Sequence, residues 1–305
     1  MAVIEITNDK VSLPAKEGET LLESTLLGGI PHAHACGGNG VCSSCRVYIE
    51  KGLENLSPMS EKEKNLLDKL GRKDQMRLAC QTKINGDITM RRLVLDDVDE
   101  KIVSSQAMDK SGKSLGIEKE ASILFVDIAD YTAFAENTPA YDVVHILNKY
   151  FYICGTIVKK YKGRIIDYYG DGFLAIFGLD DDPKHSENLV KAGFELCEAI
   201  DKFDHAVHQM TNSDFKIRLG AHTGTIIWGT IGIEGMQKEA AIGDTVNFAS
   251  RIENTNKDLN TRFLVSEALY DKLKSKCSFC DEHQIKAKGK KGLFKVYALD
   301  RHFLD

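Results

Sequence analysis

Four cysteines in the first third of the chain have the types and spacing of metal ligands. Cys36, Cys42 and Cys45 fall in the segment HACGGNGVCSSC, and Cys80 follows in RLACQT. These sulfurs could form a disulfide, hold a zinc ion or hold an iron–sulfur cluster. In a reducing compartment, clustered thiols are more often metal ligands or redox groups than disulfides. A disulfide is therefore the weakest of the three interpretations.

The glycines around these cysteines favour a cluster over zinc. A structural zinc site usually shows two C-x2-C pairs, or one such pair with a matching pair of histidines. The segment has one C-x2-C pair, and His32 and His34 just before Cys36 keep zinc as the minor alternative. The loop CGGNGVC needs glycine because a turn this tight requires positive φ and close backbone approach. Its amides can then donate to sulfides and thiolates, which tunes the reduction potential of such centres.

Residues 1 to about 95 resemble the 2Fe–2S ferredoxins with a β-grasp fold. Five residues separate the first two cysteines, as in the adrenodoxin-like branch, whereas plant-type ferredoxins have four. The pair Cys277 and Cys280 is a lone C-x2-C, which we expect to be a surface or partly buried pair, with a redox role as the alternative. The resemblance implies that one cluster is ligated by Cys36, Cys42, Cys45 and Cys80.

Two aspartates at the ends of predicted strands form a second candidate site. Asp127 ends the apolar run of SILFVDIADYTAF, and Asp171 lies at the tip of the predicted hairpin GRIIDYYGDGFLAIF. Such residues can simply end a strand or cap a helix. Presented together, they can share hard cations such as magnesium, which prefer carboxylate and phosphate oxygens. The segment IGDTVNFASRIE favours the second interpretation, because Asn247 and Arg251 lie on one helix face and could contact a ribose and a phosphoryl group.

Residues 121 to about 300 resemble the class III nucleotide cyclases. The motifs FVDIADYTAF, YYGDGFLAIFG, IRLGAHTGTI, IGDTVNFASRIE and AKGKKG…VYAL occur in the order of that family, and together they are highly specific. The resemblance implies a βαββαβ-type sheet covered by helices and a homodimer with active sites at its interface. It also implies the conversion of a nucleoside triphosphate to a 3′,5′-cyclic nucleotide and pyrophosphate.

The resemblance assigns a role to each matching catalytic residue. Asp127 and Asp171 match the pair that binds two magnesium or manganese ions, of which one activates the ribose 3′-hydroxyl and the other holds the triphosphate. Asn247 matches the residue that orients the ribose. Arg251 matches the residue that stabilises the charged pentavalent state.

Four further positions concern the phosphates and the base. Arg218 and Lys288 match family positions that hold the β- and γ-phosphates. Asp167 stands where adenylate cyclases carry a base-selecting lysine, and Ala240 stands at its partner position. An ionised aspartate only accepts hydrogen bonds, which suits the donors of guanine, but Ala240 offers no donor for the guanine carbonyl. By analogy with adenylate cyclases outside animals we expect ATP as the substrate, with GTP as the alternative.

The elements that position these residues fall into two blocks of an α+β chain. Residues 1–95 read as short strands and two short helices, the second starting at Ser60 with Glu63 at capping-box spacing. Residues 96–120 read as a charged linker. Residues 121–305 alternate strands with long helices. One of these is a core helix with an apolar face made of Val144, Leu147, Phe151, Cys154 and Val158; Cys154 and Cys197 are expected to be buried core thiols.

Composition excludes several other functions. The 305 residues allow two domains, and 43% hydrophobic with 28% charged residues is typical of globular proteins. The formal charge of -5 argues against a nucleic-acid partner. No run approaches the roughly 18 apolar residues that a membrane-spanning helix needs. The first residues lack the features of a signal peptide, so we expect a cytoplasmic protein.

The presence of both sites in one chain suggests a redox-controlled signalling enzyme. In that hypothesis an electron donor to the cluster sets the output of a second messenger. A first alternative is that the cluster is structural, its ligation stabilising a small domain. A second is a catalytically weak nucleotide-binding domain attached to an electron-transfer ferredoxin.

Overall fold

The computed structural model describes residues 1–71, 74–93, 116–232, 235–273, 280–286 and 292–299. Contacts divide the chain into two compact units, of which the first comprises Met1–Ile117 with Gly229–Lys238 and the second Glu118–Trp228 with Glu239–Asp305. Strands that extend across these limits are described with the second unit. Residues 96–115 of the predicted linker lie outside the described residues, as do Lys288, Cys277 and the side chain of Cys280. Residues 117–120, predicted as linker, belong to a strand.

The first unit has, among its described residues, five strands and two α-helices: β1 (Ala2–Ile6), β2 (Val11–Ala15), α1 (Leu21–Leu27), β3 (Arg46–Lys51), α2 (Glu61–Lys69), β4 (Met76–Leu78) and β5 (Ile88–Arg92). The sheet order is β2-β1-β5-β3-β4, with β1 parallel to β5 and the other neighbours antiparallel. The alternation of β1 buries Ile4 and Ile6 against Leu67 of α2 and Leu78 of β4 in one core.

Helix α2 corrects one detail of the sequence analysis. Ser60 caps the helix as predicted, with its Oγ accepting from the Glu63 amide at 3.2 Å. The Glu63 side chain does not complete a capping box. Its Oε1 accepts from Arg77 Nε at 2.9 Å and from the Leu78 amide at 2.8 Å, and both charged side chains are buried. A buried guanidinium needs a partner charge, and this need overrides the local cap.

The second unit has, in the part of the chain that is described, eight strands and five α-helices: β6 (Ile117–Ile128), α3 (Tyr131–Glu136), α4 (Ala140–Lys160), β7 (Gly163–Tyr169), β8 (Gly172–Phe177), α5 (His185–Thr211), β9 (Ile217–Ile231), β10 (Lys238–Ile242), α6 (Asp244–Leu259), β11 (Phe263–Ser266), α7 (Glu267–Leu273), β12 (Cys280–Ile285) and β13 (Phe294–Leu299). The sheet order is β12-β13-β11-β9-β6-β8-β7, and β10 pairs with β9. The α+β class predicted from the sequence is confirmed.

Helices cover both faces of this sheet. Leu124 and Val126 of β6 join the core formed with α4 and α5, whereas Ile123 packs in a separate cluster with Ala249 of α6. Strand β8 is buried along its whole length. A strand between two packed layers is apolar on both faces.

Helix α4 forms as predicted, but its buried face is rotated from the predicted one. Cys154 is buried, and so is Cys197 of α5, as expected. The buried positions of α4 begin at Val143 and Ile146, and Val144 is 58% exposed. The predicted face and the observed face of the helix are both apolar in the sequence. Packing of the Tyr150 ring, 5.6 Å from that of Phe215, selects the observed face. No helix among the described residues is long and apolar enough to cross a membrane.

Candidate functional site

The cysteine loop of the first unit brings the four thiols together as two pairs. Cys45 Sγ donates to Cys80 Sγ at 3.4 Å, and the thiols of Cys36 and Cys42 hydrogen-bond to each other. Three glycines of the loop adopt positive φ, as the sequence predicted: Gly37 at 64°, Gly38 at 87° and Gly40 at 70°.

Hydrogen bonds favour ionised sulfur in one member of each pair, Cys36 and Cys80, whereas the pKa values of Cys42 and Cys45 are raised. Burial opposes ionisation of Cys36, but hydrogen bonds from Cys42 and from the amides of Val41, Cys42 and Asn39 lower its pKa. The Cys45 thiol, with help from the Gln81 side chain and the Gly40 amide, lowers the pKa of Cys80 to about 6. The thiolate is the form that binds metal. The donor set and its amide shell therefore fit an iron–sulfur cluster.

The two histidines before the loop have other partners. His32 Nδ1 shares a hydrogen bond with Thr25 Oγ1 at 3.0 Å, and His34 Nδ1 lies 2.6 Å from the His32 carbonyl oxygen. Burial and the charge of Arg92 lower the pKa of His32 to about 4, so the ring is neutral. In the described ranges, no three His, Cys, Asp or Glu side chains converge as one metal ion would require.

The second unit places the two predicted aspartates side by side. Asp127 is near the end of β6, and Asp171 lies in the turn between β7 and β8. β6 pairs with β8 through Val126 and Phe173, which sets the two carboxylates at the same edge. Asp171 Oδ2 accepts from the Ile128 amide at 3.2 Å. Burial and the charge of Asp171 raise the pKa of Asp127 to about 6, so the pair carries like charges that a cation would relieve.

A glycine makes this approach possible. A Cβ at Gly172 would lie 2.8 Å from the Val126 carbonyl oxygen and 2.9 Å from Asp127 Oδ1. The backbone at Gly172 therefore approaches Val126 and the Asp127 carboxylate too closely for a side chain at position 172.

The aspartates open into a cleft of about 470 Å³. Arg218 of β9 lies in it, with Nη2 3.5 Å from Asp130 Oδ2. Glu253 of α6 is only 7% exposed, and burial together with the charge of Asp127 raises its pKa to about 7. The charged residues of the lining are Asp127, Asp130, Glu136, Asp171, Arg218, Glu253 and Lys257.

The sequence analysis missed the residues that α6 contributes to this lining: Glu253, Asn254 and Lys257. A signal was available, because Thr245, Ala249 and Glu253 recur every four residues on the buried face of α6. Burying a glutamate costs free energy, so its position on a buried helix face indicates a polar or functional environment.

Asn247 and Arg251 share a face of α6 as predicted, but neither lines this cleft. Asn247 is exposed. Arg251 is half-buried, and its Nη1 is buried without a hydrogen-bond partner in the described chain. One chain alone therefore does not bring this pair to the two aspartates.

The predicted base-selecting positions lie on two strands that are joined by a neighbouring ion pair. Asp167 belongs to β7 and Ala240 to β10. Arg164 of β7 pairs with Glu239, the residue beside Ala240, and lies 5.5 Å from the centre of the Trp228 ring.

Comparisons with known proteins agree with this division. Residues 116–301 match the adenylate and guanylate cyclase catalytic domain. The chain belongs to this cyclase family. Residues 4–85 match the 2Fe-2S iron-sulfur cluster binding domain, which points to a 2Fe–2S cluster in the first unit.

Relatives of both substrate types are found. Adenylate cyclase 1 of Rhizobium meliloti is 32% identical over 180 residues, which are 59% of this chain and 27% of that protein. The chain thus spans about a quarter of that relative's length. The adenylyl cyclase CyaB from P. aeruginosa superimposes with a TM-score of 0.56 at 26% identity, covering 62% of this chain and 98% of that one. The guanylate cyclase domain of RhGC from Catenaria anguillulae, in complex with GTP, superimposes with a TM-score of 0.52 at 26% identity. This match covers 59% of this chain and 96% of that one.

Proposed function

We propose that the protein converts a nucleoside triphosphate, ATP in the first instance, into a 3′,5′-cyclic nucleotide and pyrophosphate. The observation that carries the proposal is the pairing of Asp127 and Asp171 in one cleft with Arg218. Burial and the neighbouring Asp171 carboxylate raise the pKa of Asp127, as expected of a cation site, and an arginine beside the two carboxylates can neutralise phosphate.

Asp127 and Asp171 would hold two magnesium or manganese ions, which, when bound, activate the 3′-hydroxyl and neutralise the triphosphate. The residues fit these ions, because both carboxylates line one cleft and the absence of a side chain at Gly172 lets the strand approach the Asp127 carboxylate. Arg218, which pairs with Asp130 in the structure, would exchange this partner for the nucleotide. Together with Lys288 it would hold the β- and γ-phosphates.

A homodimer would complete the site. Asn247 would orient the ribose and Arg251 would stabilise the pentavalent state, both from the partner subunit. Two observations support this: the pair faces away from its own cleft, and Arg251 Nη1 is buried without a partner within the described chain. Exposed apolar residues at the end of β10 and on β9, Ile242 and Ile227, are available to be covered by a second copy.

The four paired cysteines, Cys36, Cys42, Cys45 and Cys80, would ligate a 2Fe–2S cluster. When bound, such a cluster supplies a one-electron redox change. Protein isolated without oxygen should be brown, with about two irons and two labile sulfides per chain. Stoichiometric zinc without labile sulfide would contradict this assignment.

We further propose that the redox state of the cluster changes the rate of the cyclase. A coupling of the usual size would change turnover roughly five- to 150-fold. Turnover of one anaerobic sample is measured before and after dithionite reduction, with residues 116–305 alone, which keep the whole of β6, as the control for direct effects of the reductant. Equal rates with an intact cluster would favour the structural role instead.

GTP is the second candidate substrate, and Asp167 is the specific observation that favours it. Its carboxylate can accept from the ring N–H and the amino group of guanine, which adenine does not offer in that arrangement.

The test of the proposed function is a direct comparison of nucleotides. The protein is incubated with ATP or GTP and either magnesium or manganese, and products are identified by mass spectrometry. We expect equimolar cyclic nucleotide and pyrophosphate from at least one nucleotide, and none from the Asp171→Asn variant. A wild-type protein that makes no cyclic nucleotide from either substrate would refute the proposal.

A further inference from the structure

The cleft of the two aspartates contains one lysine that the assigned machinery does not use. Among the described residues of its lining, five are acidic and two are basic, Arg218 and Lys257. Arg218 already faces Asp130 at 3.5 Å. Lys257 is exposed, and within the described chain it makes no hydrogen bond or ion pair. Its ammonium group is therefore available to a ligand in the cleft.

The backbone fixes where this lysine lies. Glu253 and Lys257 are four residues apart on α6, so they share a face, with Lys257 about 6 Å further along the axis. Glu253 is buried beside the aspartates. A Cβ on Gly220 of β9 would lie 2.1 Å from the Glu253 backbone nitrogen, so helix and strand are in direct contact there. Arg218 stands two residues earlier on the same strand.

We propose that Lys257 is a phosphate-binding residue, which holds the terminal phosphates of the nucleotide, and then pyrophosphate, in the cleft of its own subunit. This rests on the proposed cyclase function. An ammonium on a flexible stem has three donors and binds phosphate as a compact charge. The cleft otherwise carries an excess of carboxylates, so a free cation at its edge attracts the anionic end of the ligand.

The expected kinetic signature follows from where the contact is made. Terminal phosphate oxygens carry negative charge in the substrate, in the transition state and in pyrophosphate. A contact of nearly equal strength in all three lowers KM without raising kcat. Lys257→Met should therefore raise KM roughly tenfold and weaken pyrophosphate binding by a similar factor, with little change in kcat, because a charge-assisted hydrogen bond has this size.

The first experiment measures binding without turnover. Inorganic pyrophosphate with manganese is titrated into wild-type, Lys257→Met, Lys257→Arg and Lys202→Met proteins by calorimetry. Lys202 is an exposed lysine of α5 outside the cleft, so its variant makes the same change in net charge. We expect weak binding only for Lys257→Met, with recovery in Lys257→Arg. Equal affinities of Lys257→Met and wild type, or equal loss in Lys202→Met, would overturn the proposal.

The second experiment tests which subunit supplies the lysine. A dimer of an Asp127→Ala chain with an Arg251→Ala chain has one intact site, whose aspartates come from the Arg251→Ala chain. Lys257→Met added to that chain should raise KM, whereas the same change in the Asp127→Ala chain should not. The opposite result, or no change in either, would refute the assignment. Failure of the proposed function shows differently, as a wild-type protein that makes no cyclic nucleotide.

Discussion

Replacement of Glu253 by glutamine should stabilise the metal-free protein in a pH-dependent way. Glu253 is 7% exposed, and its surroundings include the carboxylates of Asp127 and Asp171. Burial is the main reason its pKa rises from 4.5 to about 7, and the charge of Asp127 adds to it. Glutamine has nearly the same shape but no charge, so the variant removes the cost of ionising a buried group.

The sign and size of this change in stability follow from the linkage between proton binding and folding. An acid whose pKa is raised by folding binds its proton more tightly in the native state, so stability falls as pH rises from 4.5 to about 7. A rise of the pKa from 4.5 to about 7 corresponds to about 3 kcal/mol. Glu253→Gln should therefore add about 3 kcal/mol at pH 8 and less than about 1 kcal/mol at pH 5.

The assay is urea unfolding of the second unit in EDTA at both pH values, followed by its tyrosine and tryptophan signal. Glu118→Gln, an exposed residue at the start of β6, is the matched control and should change neither midpoint. A Glu253→Gln gain that is equal at pH 5 and pH 8, or a loss at pH 8, would refute the reasoning.

Two other variants test the contacts that build the two units. Arg77→Met leaves Glu63 charged and buried without its partner, and should destabilise the first unit by about 3–5 kcal/mol in chemical denaturation. A smaller loss than about 1 kcal/mol would mean that the pair is not desolvated as described. Gly172→Ala forces a Cβ against the Val126 carbonyl and should lower kcat at least about 100-fold, with an unchanged circular dichroism spectrum. Near-normal turnover would show that the two aspartates do not need this close approach.

Local chemistry explains what the sequence could predict. The hairpin tip at Asp171, the cap at Ser60 and the positive φ of Gly38 each depend on residues within a few positions of one another. Turns and caps of this kind have few conformational solutions, so the residue types reveal them. The positions of Asp127 and Asp171 followed from the same signals, while their roles stay predictions.

Long-range packing explains what the sequence could not predict. Helix α4 has two overlapping apolar faces, either of which could be buried. The aromatic contact between Tyr150 and Phe215, which are 65 residues apart in the sequence, determines which face is buried. Glu63 leaves its capping position for an arginine on another element. The spacing of Glu253 places it on the buried face of α6, but its neighbours in the cleft come from β6 and β9. In each case the deciding partner is distant in the sequence, and local propensity carries no information about it.

In the proposed function, Asp127 and Asp171 of one chain form the cyclase site together with Asn247 and Arg251 of another. Cyclic nucleotide formation is measured for the Asp127→Ala protein, the Arg251→Ala protein and their equimolar mixture after dimer exchange. Each variant alone should be inactive, and the mixture should recover about a quarter of wild-type turnover, because half of its dimers have one intact site of two. Cyclase activity from a contaminating protein would be the same in the separate variants and in their mixture. An inactive mixture in which mass spectrometry demonstrates the heterodimer would contradict the account.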